Sequence, residues 1–315
     1  MSVFSDMQRP VVVQARTVVA DGVLALDLAP TNGRPLPAWT PGSHVDLLLP
    51  GGWERQYSLC GDPADRMTYR VAVLLSQDGA GGSAVVHDTL AVGDTLRLRG
   101  PRNHFAFTPA ADRSTVFVAG GIGITPMLSM IAAADAAGTD WSLHYAGRSR
   151  ATMAFVEELV ADHPSRVRVY AADEGERLAV SALTDGPAGR VFCCGPRRLL
   201  DAVEEAGTDG WSVHTERFEA REFGPPVWPD PFEVELALSG TTLTVDPGQS
   251  ILDVVEASGA VVVSSCRVGT CGSCETPVLQ GSVEHRDSVI GPGGASQTMM
   301  ICVSRAAGPG LVLEL

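Results

Sequence analysis

The chain has no lysine: all 23 of its basic residues are arginines, against 37 acidic residues and a formal net charge of −14. So acidic a chain is not expected to bind nucleic acid, because basic side chains provide most of the affinity for phosphate backbones. No apolar run reaches about 18 residues, which argues against a membrane-spanning helix. Residues 1–10 lack an apolar signal-peptide core. The sequence therefore predicts a cytoplasmic protein whose seven cysteines stay reduced or bind metal.

Four of the seven cysteines have the spacing C-x4-C-x2-C followed by a distant fourth cysteine. They are Cys266, Cys271, Cys274 and Cys302. This is the spacing of plant-type 2Fe–2S ligands, and Gly269 and Gly272 give backbone freedom where a loop bends closely around sulfur. Zinc sites favour two short cysteine pairs, and disulfides need an oxidising compartment. The pattern therefore predicts a 2Fe–2S cluster and transfer of single electrons.

The negative charge is unevenly distributed along the chain. Residues 225–315 contain ten acidic residues and three arginines, a net charge of −7 and half of the total. An acidic electron carrier can be steered toward a basic partner, but the same charges can simply keep a protein soluble. The sequence leaves both interpretations open.

The predicted fold is multidomain. Residues 1–108 contain short β-rich runs separated by turns, which predict a closed antiparallel β-barrel and one helix with Ser83 as its N-cap. Residues 109–224 alternate strands and helices, including helices over 126–137 and 152–160, which predicts an α/β domain with a parallel sheet. Residues 225–231 form a proline-rich linker. Residues 232–315 predict an α+β domain in which Cys302 lies on a buried strand over 300–303.

Two segments of the first block predict a ligand site. Arg55, Tyr57 and Leu59 share one face of a predicted strand, where an arginine and an aromatic ring suit a planar ligand with a phosphate tail. The turn Gly81-Gly82-Ser83 opens a helix, and helix N-termini favour phosphate. Taken singly, each segment also fits an ordinary half-exposed strand or a plainly capped helix.

A second ligand site is predicted at one edge of the parallel sheet. The run GGIGITP at residues 120–126 turns a strand into a helix, which is where dinucleotides bind in such sheets. Pro126 replaces the third glycine of the usual fingerprint and is tolerated at the start of a helix. Cys193 and Cys194 end a later strand, followed by Gly195 and Pro196. A thiol there can lie beside a nicotinamide or can be a small buried side chain.

The strand after the first βα unit ends in YAGRSR at residues 145–150. This run contains no acidic residue for a ribose 2′-hydroxyl, whereas Arg148 and Arg150 can hold a 2′-phosphate. Judged from the residues alone, the pattern favours NADPH.

Together these motifs resemble the phthalate dioxygenase reductase type of the ferredoxin reductase superfamily, to which the vanillate O-demethylase reductases are similar. The resemblance covers nearly the whole chain. It rests on the strand at residues 55–59, the turn at 120–126, the segment at 194–196 and the four cysteines. The block PRNHF at residues 101–105 also fits the family.

The resemblance implies FMN in the barrel, NADH on the α/β domain, with NADPH possible, and a β-grasp-like ferredoxin domain at residues 232–315. The short loop between residues 75 and 83 agrees with FMN, since it leaves little room for the adenylate of FAD. The residues implied in cofactor binding are Arg55, Gln56, Tyr57, Ser58, Gly81, Gly82, Ser83, Gly120, Gly121, Gly123, Thr125, Pro126, Arg148, Ser149, Cys194, Gly195 and Pro196. Ser58, Cys194 and Phe218 are expected beside the reacting atoms, although Phe218 suits an interdomain core equally well.

The resemblance also implies an activity. Electrons would pass from NADH to FMN, then to the cluster, and then to the Rieske non-haem iron component of a multicomponent oxygenase. The alternatives are a reductase for a haem monooxygenase and a redox-sensing flavoprotein. We expect a cytoplasmic monomer with no nucleic-acid or membrane partner.

Overall fold

The structure, a computed structural model, describes residues 7–76, 81–183, 188–206, 210–290 and 297–315. It divides into two compact units, Met1–Glu216 and Arg217–Leu315. The three predicted domains and the linker are a finer division, and their boundaries stay predictions. No helix in the described part of the chain is long and apolar enough to span a bilayer.

The first half of unit 1 is a curled sheet of six antiparallel strands in the order β4-β3-β6-β1-β2-β5. The strands are β1 Arg9–Ala20, β2 Val23–Pro30, β3 His44–Leu49, β4 Trp53–Ser58, β5 Tyr69–Leu74 and β6 Thr95–Arg102. Its two outer strands approach each other at a bridge between Leu59 and Val71. Leu26, Leu47 and Leu98 are fully buried inside the curl. The predicted antiparallel barrel is confirmed.

A short helix, α1 Gly82–Ala84, follows β5 and continues as a π-helical turn over Val85–Thr89. The prediction that Ser83 is its N-cap is wrong. The N-cap is Gly81, whose φ of 92° is left-handed and so favours glycine. The Ser83 hydroxyl instead accepts a hydrogen bond from the Ser76 N–H. Residues 77–80 of the loop used to argue for FMN lie outside the described residues, as do residues 1–6 of the N-terminus.

The second half of unit 1 is a five-stranded parallel sheet in the order β11-β10-β7-β8-β9, as predicted. Its strands are β7 Ser114–Gly120, β8 Trp141–Gly147, β9 Val167–Ala171, β10 Gly189–Cys194 and β11 Ser212–Glu216, and its helices are α2 Ile124–Ala136, α3 Val156–Asp162 and α4 Arg197–Glu205. Cys194 is in register with Ala119 on one side and with Glu216 on the other. Three strands therefore end side by side at one sheet edge.

Two details of this half matter for the site. The helix predicted from residue 152 begins only at Val156, because Phe155 has a left-handed φ of 61° that interrupts the helical run.

Phe107, which follows β6, packs edge-on against Phe117 and Phe192 of the parallel sheet, with ring centroids 5.4 and 5.2 Å apart, respectively. This shared aromatic core fixes the barrel against the sheet within one unit.

Unit 2 is built on a five-stranded sheet in the order β13-β12-β18-β14-β16, with a separate β15-β17 pair. Its elements are β12 Phe232–Leu236, β13 Thr241–Val245, α5 Ile251–Ala257, β14 Glu275–Gln280, β15 Val283–Glu284, β16 Thr298–Met300, β17 Arg305–Ala306 and β18 Gly310–Leu313. Ser250 caps α5 by accepting the Asp253 N–H. The prediction that Cys302 lies on a strand is wrong: β16 ends at Met300, and Cys302 lies in the turn that follows.

Candidate functional site

Three of the four predicted cluster ligands in unit 2 are buried. These are Cys271, Cys274 and Cys302, whereas Cys266 is partly exposed. The Cys266 sulfur accepts the backbone N–H groups of Val268 and Thr270 at 3.5 and 3.4 Å. Such donors stabilise negative charge on sulfur, which is the form that binds iron.

The four thiols also interact with one another. Hydrogen bonds from the Cys271 and Cys302 thiols lower the pKa of Cys266, and a hydrogen bond from Cys302 lowers the pKa of Cys274. Among the described residues, no group of three or more His, Cys, Asp or Glu side chains is placed to hold a single ion. The thiols instead form a connected series, in which Cys266 interacts with Cys271 and Cys302, and Cys302 with Cys274. Four neighbouring cysteines are the ligand set of a 2Fe–2S cluster.

The backbone of the cysteine loop is drawn tightly against the rest of unit 2. Gly269 has φ +75°, and a Cβ there would lie 2.5 Å from Val303 Cγ2 and 3.1 Å from the Asp287 backbone. The Gly269 carbonyl accepts the Ser288 N–H at 2.8 Å. Asp287 in turn accepts the Ser304 hydroxyl at 2.9 Å, close to the turn that carries Cys302. The loop and the distant ligand are therefore held together, and the residues fit a 2Fe–2S cluster.

In unit 1 the two segments of the predicted flavin site come together. The Arg55 guanidinium lies over the Trp53 ring, 5.0 Å from its centroid. A Cβ on Gly82 would lie 2.8 Å from Arg55 Cγ and Nε, so the glycine turn packs directly on β4. Burial raises the pKa of Tyr57 to about 12, although Arg55 lowers it in part. Gln56 donates to buried Asp46 at 3.0 Å, which places it in a polar network behind the strand.

The two predicted nicotinamide segments also meet, backbone against backbone. A Cβ on Gly123 would lie 2.2 Å from the Cys194 carbonyl oxygen, and one on Gly195 would lie 2.9 Å from Gly120 Cα. Any side chain at these positions would displace backbone, so glycine is needed for the close approach. Thr125 and Pro126 are buried in the first turn of α2, where the Thr125 hydroxyl donates to the Ile122 carbonyl at 2.9 Å.

An acidic residue that the sequence reasoning missed lies at this edge. Glu216 ends β11, beside Cys194 at the end of β10. Burial raises the pKa of Glu216 to about 8, and the nearby Ser58 hydroxyl offsets part of this rise. Burial, and then Glu216, raise the pKa of the Cys194 thiol well above its ordinary value. Ser58 Oγ and Glu216 Oε2 are buried without a hydrogen bond of regular geometry in the described part of the chain.

Ser58, Cys194 and Glu216 thus form a polar group where the barrel meets the sheet edge, and burial favours the uncharged forms of Cys194 and Glu216. The signal that could have identified Glu216 is its position, since an acid at the carboxyl end of a parallel strand lies at the ligand-binding edge. Phe218, in unit 2, is 44% exposed, and its expected role beside the flavin stays a prediction.

Two further acidic residues change the interpretation of the segment after β8. Arg150 Nε pairs with Glu174 Oε1 at 2.9 Å, and the Asp173 N–H donates to the Arg148 carbonyl at 3.1 Å. Ser149 Oγ lies 3.2 Å from Thr152 Oγ1. Asp173 and Glu174 follow β9, so the sequence around Arg148 gave no indication of them. Glu174 places negative charge beside Arg150, one of the two arginines that favoured NADPH, whereas Asp173 and Arg148 are joined through backbone atoms.

The fold and the two sites define a class: an electron-transfer oxidoreductase that combines a flavin-type barrel, a dinucleotide-binding sheet and a ferredoxin-type domain in one chain. Family profiles agree with this assignment. The oxidoreductase NAD-binding domain matches residues 117–205, and the 2Fe-2S iron-sulfur cluster binding domain matches residues 234–307.

Similarity to known proteins extends over almost the whole chain. It is 42% identical to the phenoxybenzoate dioxygenase subunit beta of Ectopseudomonas oleovorans, over 94% of each chain. The solved structure of phthalate dioxygenase reductase is 35% identical, with a TM-score of 0.70 and 98% of each chain covered. An intact type IV self-sufficient cytochrome P450 monooxygenase is 46% identical, with a TM-score of 0.91, and covers 98% of this chain, which spans 41% of that one.

The chain belongs to the phthalate dioxygenase reductase family. It is an oxidoreductase whose cofactors are FMN, a 2Fe–2S cluster and NADH. The predicted family, fold class and cofactors are confirmed. The individual binding and catalytic residues stay predictions that the geometry supports.

Proposed function

We propose that this protein is the NADH-dependent reductase of a multicomponent oxygenase and delivers electrons to a Rieske non-haem iron oxygenase. One observation carries the proposal: the same chain has a sheet edge where glycines bring two backbone segments together, suited to a dinucleotide, and four cysteines, three in one loop and Cys302 in a distant turn, suited to a cluster. The first site suits a donor of electron pairs, and the second suits a carrier of single electrons. The phenoxybenzoate dioxygenase subunit, similar over 94% of its length, supports an oxygenase partner.

The chain itself contributes binding, orientation and control of protons. Arg55 and the Gly81-Gly82 turn would hold the flavin phosphate. FMN, when bound, would supply the chemistry that couples hydride transfer to single-electron release. The close backbone approach at Gly123 and Gly195 brings the glycine turn against the end of β10, and a nicotinamide would bind along the edge that these two segments form. Burial raises the pKa of Glu216 to about 8, which favours the protonated, uncharged carboxyl at neutral pH.

NADH is preferred over NADPH in this proposal. A 2′-phosphate placed near Arg150 would meet the carboxylate of Glu174, which already pairs with that arginine at 2.9 Å. A ribose 2′-hydroxyl has no such repulsion and can donate to a carboxylate. We further propose a cytoplasmic monomer, in keeping with seven cysteines, all in the described part of the chain, none of which forms a disulfide. Size-exclusion chromatography with light scattering tests the monomer.

The test of the function is reconstitution. Anaerobically purified protein should show flavin and 2Fe–2S absorption, release FMN on acid extraction, and reduce a purified Rieske oxygenase at the expense of NADH. FAD in the extract would contradict the flavin assignment. Absence of multiple-turnover NADH oxidation with any acceptor would contradict a reductase and favour a redox-sensing flavoprotein.

A reductase for a haem monooxygenase is the second candidate. The similarity to a self-sufficient cytochrome P450, at 46% identity and a TM-score of 0.91, favours it. Parallel assays with a Rieske oxygenase and a cytochrome P450, at equal concentrations of each acceptor, separate the two candidates. The higher electron-transfer rate identifies the acceptor class.

A further inference from the structure

One buried hydroxyl connects the glycine turn after β7 with the segment that follows β8. Tyr145, on β8, has no exposed surface. Its hydroxyl lies 3.2 Å from the Gly121 carbonyl oxygen and 3.1 Å from the Ala154 carbonyl oxygen, and donates to them. Burial raises the pKa of this phenol above its ordinary value, so the proton that the two carbonyls share stays on it.

The hydrogen bond fixes the orientation of the Gly121–Ile122 peptide, which lies between two glycines, Gly120 and Gly123, that pack against the Cys194–Gly195 backbone. Gly121 has φ +55°, and a Cβ there would touch nothing within 4 Å, so side-chain packing does not restrain it. Its carbonyl accepts the Ile124 N–H as well as the Tyr145 hydroxyl. Both lone pairs of the oxygen are then used, and rotation of the Gly121–Ile122 peptide would break two hydrogen bonds.

The consequence concerns the N–H groups of the turn. The C=O and N–H of a trans peptide point in opposite directions. Holding the Gly121 carbonyl toward buried Tyr145 therefore turns the Ile122 N–H away from it. The first N–H groups of a helix lack intrahelical acceptors and favour phosphate, and here they belong to the turn that leads into α2.

The second acceptor links the turn to the other part of the expected dinucleotide site. Ala154 precedes Phe155, a non-glycine residue with a strained left-handed φ of 61°. Residues 148–155 also contain Arg148 and Ser149. A hydroxyl shared between Gly121 and Ala154 therefore restrains both segments at once.

We propose that Tyr145 is a positioning residue for the nicotinamide dinucleotide: its hydroxyl holds the Gly121 turn so that the turn's N–H groups face the pyrophosphate. This inference rests on the proposed function, in which the dinucleotide crosses this turn. Tyr145 does not touch the reacting atoms and acts through backbone alone.

The test is Tyr145→Phe in the holoprotein, followed by stopped-flow reduction of the flavin at increasing NADH concentration. The apparent Kd for NADH should rise on the order of tenfold, which corresponds to about 1.4 kcal/mol, with the limiting rate of flavin reduction unchanged. Amide hydrogen exchange of residues 120–126 without NADH should become faster, a readout that requires no turnover.

Tyr69→Phe is the matched control. Tyr69 is also fully buried and donates its hydroxyl to a backbone carbonyl, that of Pro37 in the barrel. Both variants should lose similar thermal stability, but only Tyr145→Phe should change the Kd and the exchange of the turn. An unchanged Kd, unchanged exchange, or an equal rise of the Kd in both variants would overturn the inference. Failure of the unmodified protein to react with NADH would instead overturn the proposed function.

Discussion

The cysteine loop of unit 2 and the sheet edge of unit 1 are specified in opposite ways. The loop depends on what its side chains are: four thiols, of which three lie within nine residues of sequence, from Cys266 to Cys274. The sheet edge depends on what is missing, since Gly120, Gly123 and Gly195 leave room for backbone to approach backbone. Its candidate functional groups come from distant segments, with Ser58 on β4, Cys194 on β10 and Glu216 on β11.

From this difference we expect the two sites to tolerate substitution differently. Four cysteine thiolates hold a cluster of this type, so a single substitution in the loop should destabilise or remove the whole cluster. A backbone surface distributes its binding over many N–H groups and contacts. Single changes at the sheet edge should therefore have partial effects, on the affinity for NADH, on the choice between NADH and NADPH, or on the pH dependence of stability.

Cys271→Ser should have the largest effect. Cys271 is 2% exposed, and its sulfur lies 3.0 Å from the Ser273 hydroxyl, so serine fits the space but cannot replace the thiolate. We expect loss of the cluster and of electron transfer to a protein acceptor, with flavin-dependent reduction of a small dye retained. Iron analysis and parallel assays with both acceptors measure this. Cys60→Ser, at a buried cysteine outside the loop, is the control and should keep its iron. Equal loss of both activities in Cys271→Ser would contradict the order in which electrons pass from the flavin to the cluster and then to the protein acceptor.

Gly123→Ala should be the most damaging single change at the sheet edge. An added Cβ would lie 2.2 Å from the Cys194 carbonyl oxygen, and relieving such overpacking costs about 1–3 kcal/mol. We expect kcat/KM for NADH to fall roughly ten- to a hundredfold. Gly308→Ala, where a Cβ meets nothing within 4 Å, is the control. Unchanged NADH kinetics in Gly123→Ala would show that the close approach is not needed.

The cysteine loop and the sheet edge also differ in how much of each could be predicted from the sequence. The cysteine spacing predicts the cluster ligands directly, and the alternation of strands and helices predicts the parallel sheet, because both signals are local. The wrong details are also local: Phe155 delays α3, and Gly81 caps α1 in place of Ser83. Glu174 and Glu216 were missed because the residues they approach, Arg150 and Cys194, follow or end other strands. That β9 lies beside β8, and β11 beside β10, is known only from the strand order of the sheet.

Glu174→Gln should alter coenzyme selectivity by a smaller factor. The change removes the negative charge from the pair with Arg150, which is 2.9 Å long and about half exposed. Arg150 can then pair with a 2′-phosphate, so kcat/KM for NADPH should rise on the order of tenfold, while that for NADH changes little. Steady-state kinetics with both coenzymes measure the ratio. Glu176→Gln, at an exposed neighbouring residue, should leave it unchanged, and an equal ratio in both variants would remove Glu174 from the selectivity argument.

The smallest expected effect is a pH dependence of stability that belongs to the sheet edge alone. Burial raises the pKa of Glu216 from 4.5 to about 8, so between these values the folded state holds a proton that the unfolded state has released. The contribution of Glu216 to the free energy of unfolding is fully present below pH 4.5 and is lost as the pH rises through 8. The melting temperature of the unmodified protein should therefore fall by a few degrees, relative to Glu216→Gln, between pH 6 and pH 9. Differential scanning calorimetry measures this, with Glu205→Gln, at the exposed end of α4, as the control. If the melting temperatures of the unmodified protein and Glu216→Gln change equally between pH 6 and pH 9, Glu216 is ionised at neutral pH and the sheet edge is charged.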